Sequence, residues 1–200
     1  MGNNYSISEF ISTTFALICT KLVYRNARLI RRPIYMRGKS SISYGEGLTT
    51  GHACRFDLPG GNKKTLIIGK NCEIGDNVHI VAHEKVVIGD NCLMASKIFI
   101  SDTSHGDYAG ENQSSPNTPP NDRNLITKPV SIGNNVWIGE NVCILPGVRV
   151  GSGCIISANS VVIKDIPDNC IIAGAPAKLV KIYSANNNKW EREKKEVINY

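Results

Sequence analysis

A period of six residues constrains this chain more than any other feature. An aliphatic residue opens a unit at Ile68, Ile74, Ile88, Ile132, Ile138, Ile144, Val150 and Ile156. Three residues later every unit carries Asn or Gly, at Asn71, Asn77, Asn91, Asn135, Asn141, Gly147, Gly153 and Asn159. The next position holds Cys72, Val78, Cys92, Val136, Val142, Val148, Cys154 and Ser160, all small or β-branched. Asn and Gly enter left-handed backbone at low cost, so their recurrence predicts a sharp corner every six residues. Between corners, short strands turn the aliphatic and small side chains inward. Three such strands close a triangular turn of about eighteen residues, and stacked turns pair in parallel, so the chain is expected to be an all-β parallel β-helix. Residues 132–167 supply two strict turns, and residues 68–105 two more, with a two-residue slip near Lys85. Residues 42–56 read as a ragged first turn and residues 57–65 as a loop excursion, for about five turns in all. Cys72, Cys92 and Cys154 are then small core fillers.

Twenty-three Lys and Arg against seventeen Asp and Glu leave a net charge of +6. Residues 1–39 contain seven basic residues and one acid, Glu9, so the excess belongs to that arm and the rest of the chain is neutral. This argues against a nucleic-acid-binding body. Seven cysteines, odd in number and without a CxxC pair, suggest a reducing, cytoplasmic setting. The apolar stretch 7–23 is interrupted by Ser8, Glu9 and Lys21 and falls short of the roughly 20 apolar residues that spanning needs. It also lacks a basic start and a cleavage site, so secretion is not expected. Ile7, Phe10, Ile11, Phe15, Ile18 and Leu22 recur at helical spacing ahead of RNARLIRRP. Residues 6–32 therefore read either as a peripheral contact with an anionic membrane or as a helix capping the coil. The expected organisation is an arm over 1–39, a coil over 40–183, and a tail over 184–200 in which WEREKKEVI reads as a charged helix.

The repeat fails in one place. After Ile100 the unit reads ISDTSH, with Thr103 where the corner Asn belongs, and the pattern returns only at Val130. Residues 106–129 are rich in Asn, Ser and Pro and too polar for a core of their own. So long an insertion in a solenoid points to a site or an interface, and His105 sits at its root.

Residues 88–105 and 130–182 resemble the maltose and galactoside O-acetyltransferase branch of the hexapeptide-repeat acyltransferases. The run SSP...P..R.L...PV.IG..VWIGE over residues 114–140 is similar to bacterial O-acetyltransferases of lipopolysaccharide and capsule. The resemblance covers residues 35–183 and implies a left-handed coil, acetyl-CoA as donor, a carbohydrate acceptor, no metal, and a homotrimer with sites between neighbouring coils. It carries the catalytic role onto His105, the pantetheine slot onto Ala95, Gly139 and Ala158, and the acetyl end onto Trp137. Lys164, Lys178 and Lys181 match positions near the CoA phosphates. Thr103 departs from the S-D-H-N-H-G form by replacing the first histidine. The sugar-binding asparagine of the galactoside enzymes falls on Gly75, so His83, Glu84 and Arg123 become the acceptor-binding candidates.

Acetyl transfer to an alcohol needs a base for the hydroxyl proton and donors for the developing oxyanion. His105 suits the first role, and backbone N–H groups near a coil corner suit the second. Asp102 either orients the imidazole or caps the turn, and both readings stand at this point. No second histidine pairs with a Ser or Cys nucleophile, which favours direct transfer. The expected function is O-acetylation of a surface polysaccharide or its lipid-linked precursor. The rivals are a sugar N-acetyltransferase or serine acetyltransferase, a zinc lyase of the γ-carbonic-anhydrase type, and a non-catalytic β-helix.

Overall fold

The computed structural model describes residues 6–192. It is a parallel β-solenoid with three faces, here A, B and C, followed in that order around each turn. Face A stacks Leu29–Ile30, Thr49–Thr50, Glu73–Ile74, Leu93–Met94, Trp137–Ile138, Ile155–Ile156 and Cys170–Ala173, all in parallel. Face B runs from Ile34–Arg37 through Cys54–Asp57, His79–Val81, Phe99–Ser101 and Cys143–Ile144 to Val161–Val162. Face C runs from Ile42–Tyr44 through Leu66–Ile68, Val86–Ile88 and Val130–Ile132 to Arg149–Val150, with Ile166 bridging to Val150 above it. The coil has about seven turns rather than five and begins at residue 29 rather than 40. Residues 29–37 lack the six-residue motif, yet their backbone pairs with the turn above.

The corners form where the repeat requires them. Asn71, Asn77, Asn91, Asn135, Asn141 and Asn159 have φ between 54° and 59°, and Gly147 and Gly153 lie at 85° and 69°. Asn side chains also link successive turns, as Asn71 donates to Asn91 at 3.3 Å and Asn91 to Asn135 at 3.3 Å. Two corners were not legible from residue type, because Ala53 and Lys97 hold φ of 54° and 58° without a Gly or Asn. The aliphatic positions fill the interior. Ile80, Ile100, Ile138, Ile144 and Ile156 are fully buried, as are Cys54, Cys72 and Cys154. Burial pushes the Cys54 thiol up to about 11, the behaviour of a small core side chain rather than a nucleophile.

Both ends of the solenoid are covered. At the lower end a helix, α1 (Ile7–Val23), starts in a capping box between Ser6 and Glu9. Ala16 and Thr20 pack it on the first strand, where the Thr20 hydroxyl accepts the Ile30 N–H at 2.9 Å and donates to the Ala16 carbonyl at 2.7 Å. The helix therefore caps the coil, one of the two readings of the arm. At the upper end Lys178–Ser184 pairs antiparallel with Cys170–Ala173, and Lys189–Arg192 pairs antiparallel with Lys178–Ser184. The expected C-terminal helix is thus a β-hairpin as far as residue 192. Tyr183 and Trp190 meet edge to face at 5.3 Å across it, and the hairpin protects the last exposed sheet edge. The remainder of the WEREKKEVI segment lies outside the described residues.

The corner geometry generates a stability prediction at two positions with the same backbone. Asn141→Ala should cost about 1 kcal/mol, because alanine does not share the left-handed tolerance of asparagine. Lys97→Asn should raise stability by a few tenths to about 1 kcal/mol, since the strain is already present there. Denaturant unfolding of both variants checks the opposite signs.

Candidate functional site

The long insertion leaves the coil at the edge between faces B and C, directly after Asp102. Thr103–His105 pairs antiparallel with Leu125–Thr127, so His105 sits at the mouth of a hairpin opposite Leu125. Its ring is exposed to solvent. The segment beyond it is pinned by its own polar side chains. The Tyr108 hydroxyl donates to the His105 carbonyl at 2.6 Å, and Arg123 Nη1 donates to that hydroxyl at 2.6 Å. Arg123 Nε reaches the Thr118 carbonyl at 2.8 Å, and Ser114 exchanges hydrogen bonds with Asp107 at 3.0 and 2.7 Å. Ser114 and Arg123 of the SSP...P..R run thus help to hold the loop, together with Asp107 and Tyr108. Arg123 directs its guanidinium to loop contacts, with Nη2 also 3.4 Å from the Pro116 carbonyl. Tyr108 was not singled out from sequence, because its partner is a backbone carbonyl.

Asp102 is fully buried, and its carboxylate faces the turn below. Oδ1 accepts the His83 N–H at 3.0 Å, and Oδ2 accepts those of Glu84 and Lys85 at 2.7 and 2.8 Å. These three amides are the two-residue slip read near Lys85, so two irregularities seventeen to nineteen residues apart are one device. The Asp102 carbonyl accepts the Lys128 N–H at 2.8 Å, which ties down the returning strand. Glu84 Oε2 accepts from the Thr127 hydroxyl at 2.6 Å and fastens the same hairpin from below. Of the two readings of Asp102, the capping one is observed, and its hydrogen bonds run to the turn below rather than to His105. His83 is exposed at this edge, and Lys164 lies three turns above it.

The other half of the expected site lies elsewhere on the coil. Ala95, Gly139 and Ala158 belong to the edge between faces A and B. A Cβ on Gly139 would come within 2.6 Å of the Ala158 nitrogen, so this edge is kept narrow by small residues. A Cβ on Gly75 would come within 2.6 Å of the Ala95 carbonyl carbon, which leaves no room for an asparagine there. The Ala95 and Gly139 amides donate to the carbonyls of Ile138 and Ile156, and the Ser96 amide donates to Glu140 Oε2. These three corner N–H groups are committed to the coil. Trp137 stands outward on face A, 51% exposed, between Leu93 and Ile155 in the sheet register. Lys178 and Lys181 lie on the strand that closes the top of face A, opposite Ala173 and Ile171.

Face A is opposite the B/C edge of a triangular prism. Within one copy, Trp137 and His105 therefore lie on different sides of the coil. A separate polar cluster occupies the lower part of face B. Asp57 accepts from Arg55 at 2.7 Å and pairs with His79 at 2.9 Å, with Arg37 at 3.6 Å. Burial raises the Asp57 pKa, but the bonds from Arg55 and His79 and the charges of Arg55 and Arg37 outweigh it and hold the group below the usual carboxylate value.

Residues 129–164 match the family model described as bacterial transferase hexapeptide (six repeats). The chain is 42% identical over 193 residues to the Escherichia coli K12 protein named "Putative lipopolysaccharide biosynthesis O-acetyl transferase WbbJ", covering 96% of this chain and 97% of that one. It is 38% identical over 114 residues to the galactoside O-acetyltransferase of the same organism, covering 57% of this chain and 52% of that protein. The hexapeptide-repeat acetyltransferase VCA0836 of Vibrio cholerae, solved with acetyl coenzyme A, superimposes with a TM-score of 0.54 at 28% identity, covering 68% and 71% of the two chains. The N-acyltransferase AntD of Bacillus cereus, solved with dTDP and 3-hydroxybutyryl-CoA, gives 0.67 at 21% identity over 94% and 93%, a likeness of fold. By its solenoid, its repeat and a relative matched along nearly its whole length, the chain belongs to the bacterial hexapeptide-repeat acetyltransferases.

Proposed function

We propose that this enzyme transfers the acetyl group of acetyl-CoA to a sugar hydroxyl of a surface polysaccharide, such as O-antigen or capsule, or of its lipid-linked precursor. The donor is supported by the acetyl-CoA complex of the Vibrio relative, and the acceptor class by the near-full-length match to the lipopolysaccharide enzyme. His105 is the general base. Its imidazole takes the hydroxyl proton as the sugar oxygen attacks the thioester carbonyl. The tetrahedral intermediate collapses with cleavage of the C–S bond, and the imidazolium returns the proton to the sulfur, leaving the ester and CoA thiol. Asp102, Glu84, Tyr108 and Arg123 act through the hairpin as positioning residues.

The observation that carries this reading is the division of the candidate residues between two edges. His105, His83 and Lys164 lie on edge B/C, whereas Ala95, Gly139 and Ala158 lie on edge A/B, with Trp137, Lys178 and Lys181 on face A beyond it. Both edges bound face B. A rotation that brings edge A/B of each copy to edge B/C of the next closes a ring of three when it is 120°. We take that ring to be a homotrimer, in which the base comes from one copy and the donor slot, with Trp137 at its acetyl end, from its neighbour. The cytoplasm, where acetyl-CoA is available, is the expected compartment.

Three outcomes follow. His105→Ala should lower kcat by about 10²- to 10⁴-fold in a thiol-release assay while donor binding persists. Co-assembly of His105→Ala chains with Trp137→Ala chains, each defective alone, should restore about a quarter of wild-type activity, the share of interfaces with both groups intact. No recovery in verified mixed assemblies would mean that both groups serve one copy. Asp102→Asn leaves a single acceptor oxygen for three buried N–H groups and should cost about 2 kcal/mol of stability. Its lost activity should appear in kcat with the pH profile unmoved, because the residue does not touch the imidazole.

A further inference from the structure

We propose that the outward face of helix α1 docks on an anionic lipid bilayer. A helix packed on a protein body ordinarily turns its apolar stripe inward, and α1 does the reverse. Its contact with the coil is made by Ala16 and Thr20, and Ser8, Glu9, Ser12 and Thr13 also turn that way. Together with Arg31, His52 and Asp76 these polar side chains line a cavity of about 490 Å³ between helix and coil. The large apolar residues project from the opposite side. Ile7 is 82% exposed, Leu22 74%, Phe10 64% and Phe15 61%, with Ile11 and Ile18 between them. At 1.5 Å per residue the seventeen residues present an apolar strip about 25 Å long.

The occupant follows from charge. The first 39 residues hold seven cations and one anion, the whole net excess of the chain. Lys21 in the last turn donates to the Ala27 carbonyl at 3.1 Å, and Arg25 is exposed just past the end of the helix. A second copy seated on this face would bring two such arms together and repel. An anionic headgroup layer supplies the opposite charge and an apolar layer below it for the phenylalanines. The helix is held rigidly enough to present this face, since the capping box fixes its start and the Thr20 bond to Ile30 fixes its roll on the coil. No described helix is long and apolar enough to cross a membrane, so the contact is with the surface. The inference stands apart from the acetyl-transfer reading, because it uses none of the same residues.

The full chain is mixed with phosphatidylcholine vesicles with and without about 30% phosphatidylglycerol, and the partition is measured by sedimentation. The proposal expects pelleting with the anionic vesicles only, weakening as salt rises. The double variant Phe10→Ser and Phe15→Ser should lower the partition about tenfold or more, with the thermal midpoint and solution mass unchanged. His105→Ala should pellet like wild type. Failure to pellet, equal pelleting with neutral vesicles, or a change of oligomeric mass in the double variant would each overturn the proposal, the last by showing that a second copy covers the face.

Discussion

Everything in this molecule depends on the distance between one backbone turn and the next. Parallel ladders set the stacking, and at the corners the chain must reverse direction within a residue or two while staying in register. That requirement explains the Asn and Gly at positive φ and the glycines at the close approaches. A Cβ on Gly133 or Gly151 would come within 2.6 or 2.3 Å of the turn above. Side chains at the corners then have only each other and the neighbouring amides as partners. Asp90, Asn134, Ser152 and Asp168 each accept a backbone N–H from the turn below. The solenoid is stiff because the same few bonds recur along its length.

A stiff scaffold leaves function to its interruptions, and the largest one here is well prepared. Asp102 gathers three amides of the turn below and a strand of the loop above, so the residue before the break is also the one that mends it. From that anchor the hairpin carries His105 outward, and the Tyr108 and Arg123 contacts keep the segment beyond it from collapsing onto the imidazole. The A/B edge, where we propose that the donor binds, is built differently, by omission. Small residues at 95, 139 and 158 leave a narrow edge with the indole of Trp137 on the adjoining face.

Much of this could be read from the sequence, and the failures have physical causes. The aliphatic and corner positions encode period and register directly, so the core and the break were visible. Ala53 and Lys97 were hidden because their backbone is imposed by neighbouring turns rather than preferred by their own type. Residues 29–37 were missed for the same reason, since their strands are templated by the turn above. The tail resembled a helix by its alternating charges, but the contact that decides it is Tyr183 against Trp190, seven residues apart on opposite strands. The arm's amphipathic pattern was legible, but which side faces the coil was not, because the small residues rather than the large ones make the contact.

If the narrow A/B edge holds the donor, a thermal-unfolding titration with acetyl-CoA will register it. At a hundredfold excess over the dissociation constant the ligand should add about 2.7 kcal/mol. Wild type and His105→Ala should both gain this, whereas Ala158→Trp, which fills the slot from an exposed corner, should gain little. No stabilisation of the wild type at millimolar acetyl-CoA, or full stabilisation of Ala158→Trp, would mean that the donor does not bind at this edge.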